Sequence, residues 1–174
     1  MNANRVAVWL FFGVLTFGIA PGKAAAQGDS DLLTLSAGIF DFGREEFRAG
    51  EFRLEYRMGD PILWFVKPMA GMMTTTDGSF YGYGGFGIDL YFGRAKSIVI
   101  TPSFNVGYYA YGDGKDLGNE VEFRSGIEAA YRFKNHSRVG FAIQHMSNAG
   151  LGVKNPGEES MVFTYSHPVN FFGN

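Results

Sequence analysis

From residue 30 onward the chain alternates apolar and polar positions almost everywhere, and no segment sustains the apolar period of about 3.6 residues that a helix needs. Leu33, Leu35, Ala37 and Ile39 share one face of a first strand. In a second, Phe52, Leu54 and Tyr56 oppose Glu51, Arg53, Glu55 and Arg57. A third sets Ile62, Trp64, Val66, Pro68, Ala70 and Met72 against Lys67. The fourth carries Phe80, Phe86, Ile88, Leu90 and Phe92 on one side and Tyr81, Tyr83, Asp89 and Tyr91 on the other. A fifth sets Ile98, Ile100, Phe104, Val106 and Tyr108 against Thr101, Ser103 and Asn105. A sixth sets Val121, Phe123, Ile127, Ala129, Tyr131 and Phe133 against Glu122, Arg124, Glu128 and Arg132. The seventh runs from Arg138 to Ser147 and the eighth from Glu159 to about His167.

Eight strands, several of them about 10 residues long, are enough in number and length to cross an outer membrane at a tilt. One face is apolar with aromatic ends. The other carries opposed charges that a sandwich could not bury, because both of its inner faces must be apolar. The pattern therefore predicts an all-β fold, an eight-stranded antiparallel transmembrane β-barrel with a lipid-facing exterior and an ion-paired lumen. At eight strands side chains fill the lumen, so a pore is excluded. The second, fourth and sixth turns, around Gly59-Asp60-Pro61, Gly93-Arg94-Ala95-Lys96 and Lys134-Asn135-His136, read as short. The alternate ones, notably Gly112 to Asn119 and Asn148 to Glu158, read as long. Short periplasmic turns and long outer loops fit the outer-membrane pattern, with both termini in the periplasm.

Residues 1–26 stand apart from this pattern. Arg5 precedes an almost unbroken apolar run from Val6 to Ile19, then the Pro21-Gly22 break and the small residues Ala24-Ala25-Ala26. That is the layout of a secretory signal peptide, and the run is shorter than the roughly 20 residues of a spanning helix. One barrel domain, residues 27–174, remains. Loss of Arg5 and Lys23 takes the 15 basic residues to 13 against 17 acidic, a net charge of −4, so nothing suggests a nucleic-acid partner. Cysteine is absent, which excludes disulfides and thiolate chemistry. No His and carboxylate cluster has metal spacing, and no cofactor is expected.

Candidate chemistry lies at the end of the seventh strand. His145 and Ser147 have the parity of Val139, Phe141 and Ile143, the apolar and lipid-facing set. On the eighth strand Glu159 shares the parity of Met161, Phe163 and Tyr165, whereas Glu158 does not. Ser, His and a carboxylate at neighbouring strand ends can meet across the sheet. As a hydrolytic triad, Ser147 would attack an ester, His145 would take its proton and Glu159 would orient the imidazole. Asn148 and the backbone N–H groups after Ser147 are candidates for stabilising the oxyanion. The residues alone also fit a plainer reading, polar side chains in a wet aromatic-girdle zone near lipid headgroups.

The run His145-Met146-Ser147-Asn148-Ala149, followed by Asn155-Pro156-Gly157 and Glu159-Ser160, resembles the signature of the PagL-type lipid A 3-O-deacylases. It spans about sixteen residues, and residue types, spacing and placement on the last two strands all agree. The resemblance implies an eight-stranded outer-membrane barrel that hydrolyses the 3-O-linked acyl chain of lipid A. It assigns the base to His145, the nucleophile to Ser147, the acid to Glu159 and an oxyanion-associated role to Asn148. Lipid A or lipopolysaccharide would then be the substrate, met at the outer leaflet, with a homodimer as one assembly the barrel allows. One departure is the C-terminus, Phe171-Phe172-Gly173-Asn174, which does not end on an aromatic residue. Rival functions are a non-enzymatic barrel that adheres through its loops, and an outer-leaflet phospholipase or acyltransferase.

Other signals carry less. Gly82-Tyr83-Gly84-Gly85-Phe86-Gly87 matches a dinucleotide pattern but lies within a strand with no helix after it, so these glycines are read as room for curvature and bulky neighbours. Glu122, Arg124, Glu128 and Arg132 are expected to neutralise one another in the lumen. Met69, Met72 and Met73 read as gap-fillers or acyl-chain contacts, and His136 and His167 as surface residues.

Overall fold

The computed structural model describes residues 29–170, so residues 1–26 and the C-terminal Phe171–Asn174 lie outside the described residues. Nine strands run in chain order: β1 (Asp31–Phe40), β2 (Ala49–Arg57), β3 (Val66–Thr75), β4 (Phe80–Ile88), β5 (Leu90–Phe92), β6 (Ile98–Ala110), β7 (Val121–Arg132), β8 (Arg138–Ser147) and β9 (Glu158–Val169). All neighbours are antiparallel, β1 pairs with β9, and β4 pairs with β6, so the sheet closes on itself. β4 and β5 are one barrel strand broken at Asp89. Both pair with β6 in a single continuous register, Gly87 opposite Ser103 and Leu90 opposite Ile100. The unpaired step, Ile88 and Asp89, falls opposite Pro102 and Thr101, and the Pro102 ring nitrogen has no hydrogen to give the ladder. The result is the eight-stranded barrel that the alternation predicts.

Side chains sort by parity as expected. Leu35, Phe52, Leu54, Phe86, Phe104, Ile127, Phe141 and Phe163 are exposed on the exterior, where lipid replaces water. Thr34, Glu51, Arg53, Glu55, Arg124 and Glu128 are buried inside. The lumen is laced with ion pairs across the barrel. Arg57 grips Glu128 with two hydrogen bonds of 3.0 and 2.9 Å and reaches Glu55 at 2.6 Å. Tyr83 donates to Glu55 at 2.9 Å, and the Arg124 guanidinium stacks 3.7 Å over the Tyr83 ring. This corrects one expectation. Glu122, Arg124, Glu128 and Arg132 do not neutralise one another. Arg124 pairs with Glu55, Glu128 with Arg57 and Arg132 with Asp29. A strand interior puts like-facing residues on one wall, so a narrow lumen lets long arginines find partners on the opposite wall instead.

The glycine-rich run in β4 makes room, as its strand setting suggests. A Cβ on Gly87 would lie 2.7 Å from Met69 Cε inside the barrel. Met69 and Met73 are buried in the lumen, while Met72 faces outward. Two boundaries differ from the sequence reading. Ile62 and Trp64 belong to the β2–β3 connection and not to β3, which begins at Val66. That connection, residues 58–65, is accordingly longer than the tight turn expected around Gly59-Asp60-Pro61.

Candidate active site

β8 and β9 pair with His145 directly opposite Glu159. Both side chains point outward, and His145 Nδ1 lies 3.2 Å from Glu159 Oε1. They are about half exposed, 50% and 41%. Glu158, one residue earlier, points into the lumen and is fully buried, accepting hydrogen bonds from Ser160 Oγ at 2.8 Å and from the Asp41 N–H at 3.4 Å. Two adjacent carboxylates thus serve opposite faces, because side chains alternate along a strand.

The Nδ1 contact with the Glu159 carboxylate suits the tautomer with its proton on Nδ1, in which Nε2 is the acceptor. Ser147, two residues along the same strand, shares the outward face, with Phe123 opposite it in register and partly exposed. Among the described residues no hydrogen bond joins Ser147 Oγ to the ring.

Gly157 carries the loop past the imidazole. Its φ is +62°, and a Cβ there would sit 3.0 Å from His145 Cε1. Both facts call for glycine.

Asn148 departs from what its place beside Ser147 suggests. Its side chain is fully buried and points away from the lipid face. Nδ2 donates to the carbonyls of Leu117 and Lys154 at 2.8 and 2.9 Å, and Oδ1 accepts from the Gly150 N–H at 2.9 Å. Its backbone N–H donates to Asn155 Oδ1 at 3.1 Å. Asn148 therefore shapes the turn that follows Ser147, where Ala149 and Gly150 take left-handed φ values of +53° and +84°.

That turn is held from inside the barrel by residues that sequence reasoning missed. Leu117, in the 111–120 loop, is buried in the apolar cluster that includes Met146, the residue between His145 and Ser147. The same loop sends Lys115 into the barrel mouth, where Nζ lies 2.6 Å from Asp41 Oδ2, both fully or nearly buried. Tyr109 OH donates to the Lys115 carbonyl at 2.9 Å. The only sequence signal was an apolar and a basic residue in an otherwise polar loop, which long-range packing alone makes meaningful. Among the described residues no group of three or more His, Cys, Asp or Glu side chains is placed to hold a metal ion.

Residues 41–168 match the family described as Lipid A 3-O-deacylase (PagL). The chain belongs to the PagL family. The match spans all of β2 to β8, most of β9 and every loop at the site end. The fold agrees. The crystal structure of the outer membrane enzyme PagL superimposes with a TM-score of 0.58 at 22% identity, covering 79% of this chain and 99% of that one. A de novo designed transmembrane β-barrel superimposes with a TM-score of 0.56 at 8% identity, covering 82% and 98%. The designed barrel shows how much of the likeness is architecture alone. No curated protein matches this sequence. As a PagL-family member the protein is a hydrolase, a lipid A 3-O-deacylase of the outer membrane.

Proposed function

We propose that Ser147, His145 and Glu159 carry the deacylation, and that they meet lipid A at the outer leaflet. The observation behind this reading is the outward His145–Glu159 pair on the lipid face. Ionisable side chains there are costly unless they lie near the interface and have work to do.

In this mechanism Ser147 Oγ attacks the carbonyl carbon of the 3-O-linked ester as His145 Nε2 takes its proton. The imidazolium formed is stabilised by Glu159 through Nδ1–H. The tetrahedral oxyanion is met in the turn whose shape Asn148 fixes; with the Asn148 and Gly150 N–H groups already engaged there, the Ala149 N–H is the donor left for it. His145 returns the proton to the sugar oxygen, the C–O bond breaks, and the sugar alcohol leaves. Water, deprotonated by His145, then attacks the acyl-Ser147 ester and releases the free fatty acid. No cofactor enters. The loops 41–48, 76–79, 111–120 and 148–157 lie at the site end, away from the Asp31–Val169 pair, and on this reading they face the cell exterior.

The test is mass spectrometry of lipid A from cells expressing the wild type or Ser147→Ala, with barrel folding followed by heat-modifiable gel mobility. Loss of one 3-linked hydroxyacyl mass in the wild type alone supports the assignment. Equal deacylation by a folded Ser147→Ala barrel removes Ser147 as nucleophile.

A further inference from the structure

The connection 58–65 joins β2 to β3 at the barrel end away from His145. Its tip, Ile62-Leu63-Trp64-Phe65, projects four large apolar side chains, each more than half exposed, and Trp64 is 94% exposed. The tip has a defined shape. The Ile62 N–H donates to the Val66 carbonyl at 2.9 Å and the Val66 N–H to the Leu63 carbonyl at 2.8 Å. Trp64 holds a left-handed φ of +46°, a conformation bulky side chains rarely adopt. Strain of this kind persists where surrounding bonds impose it, and here it turns the indole away from the barrel.

The flanking charges face the other way. Arg57 points inward to Glu128 and Lys67 to Asp29 and Asp89. The outward row of β3, Met72, Ala70, Pro68 and Val66, reaches the tip without a charge, so the tip continues the barrel's apolar exterior. Asp60 is the one charged residue of the connection, two positions before Ile62. The other two connections at this end are built differently, around Arg94 and Lys96 in one and Lys134, Asn135 and His136 in the other. Those suit water. An exposed patch of large apolar side chains does not.

We propose that Ile62–Phe65 is a membrane-inserting wedge, which enters the phospholipid leaflet at the end of the barrel away from His145 and extends the lipid interface beyond the strands on the β2–β3 side. Trp at the boundary between acyl chains and headgroups is the side chain best suited to such a position.

The sequence supplies its own probe, since Trp9 and Trp64 are its two tryptophans. The full chain carrying Trp9→Phe is expressed, exported and reconstituted into phosphatidylethanolamine–phosphatidylglycerol vesicles, and folding is verified by heat-modifiable mobility. Trp64 emission is then expected to be blue-shifted from that of the urea-unfolded chain. Most of it should be lost when lipids brominated in the acyl chains are included, with little loss to iodide. Emission at the unfolded wavelength, quenched by iodide and untouched by brominated lipid, overturns the wedge and leaves an aqueous or protein-bound tip. Neither result depends on the identity of the catalytic residues.

Discussion

Glu158 and Glu159 are neighbours in sequence and lie on opposite sides of the barrel wall, one fully buried against Ser160 and the other meeting His145. Glu159→Ala should therefore slow deacylation by roughly 10²-fold or more while leaving a folded barrel, as loss of the group orienting a catalytic base does. Glu158→Ala should act through stability. Turnover measured per folded barrel, by release of hydroxyacyl chain, separates the two; equal losses would sink the face assignment.

On the proposed mechanism, in which both outward-facing side chains serve chemistry and not packing, Ser147→Ala and His145→Ala should each lower turnover by at least about 10³-fold with unchanged gel mobility. The double variant should be no worse than either single one, because members of a catalytic unit are not additive. Additive losses would argue that the two residues act separately.

Gly157→Ala tests the loop's approach to the imidazole. The substitution should cost about 1 kcal/mol or more in a left-handed position. It should also displace the ring, lowering kcat more than it raises KM. A variant as active as the wild type would show that the ring tolerates a methyl beside it.

Leu117→Ala and Asn148→Ala probe the inner support of the site. Truncating Leu117 should destabilise by about 2–5 kcal/mol, the range for a buried Leu. Removing the Asn148 amide leaves two carbonyls without their donor, at about 1–3 kcal/mol. In both, turnover per folded barrel should fall although neither side chain reaches the lipid face. Full activity in the folded fraction would make the 111–120 loop irrelevant to the site.

Asp29, just ahead of β1, gives a pH signature. Burial by itself would raise its pKa, but hydrogen bonds from Lys67, at 2.7 Å, and from Tyr91 outweigh it and hold the carboxyl below its ordinary 3.8. A depressed carboxylate contributes stability above the unfolded pKa and loses it as pH falls through the lower folded value. Asp29→Asn should thus weaken the barrel at neutral pH and flatten its loss of stability below about pH 4. Heat-modifiable melting across pH reads this directly, and parallel acid profiles would refute it.

Alternation alone determined the barrel. With a period of two, charges on one face and large apolar groups on the other, only a closed sheet in lipid satisfies both, and parity then separated Glu159 from Glu158 before any coordinates. The motif around Ser147 carried the family. Three things awaited the tertiary structure. Strand pairing put His145 opposite Glu159, since register depends on the whole closed ladder. Lumenal ion pairs connected opposite walls, Arg57 with Glu128 and Arg124 with Glu55, which no local pattern encodes. Asn148, adjacent to Ser147 in sequence, found its partner in Leu117, in a loop some thirty positions away, because a buried amide must find its partners wherever the fold supplies them.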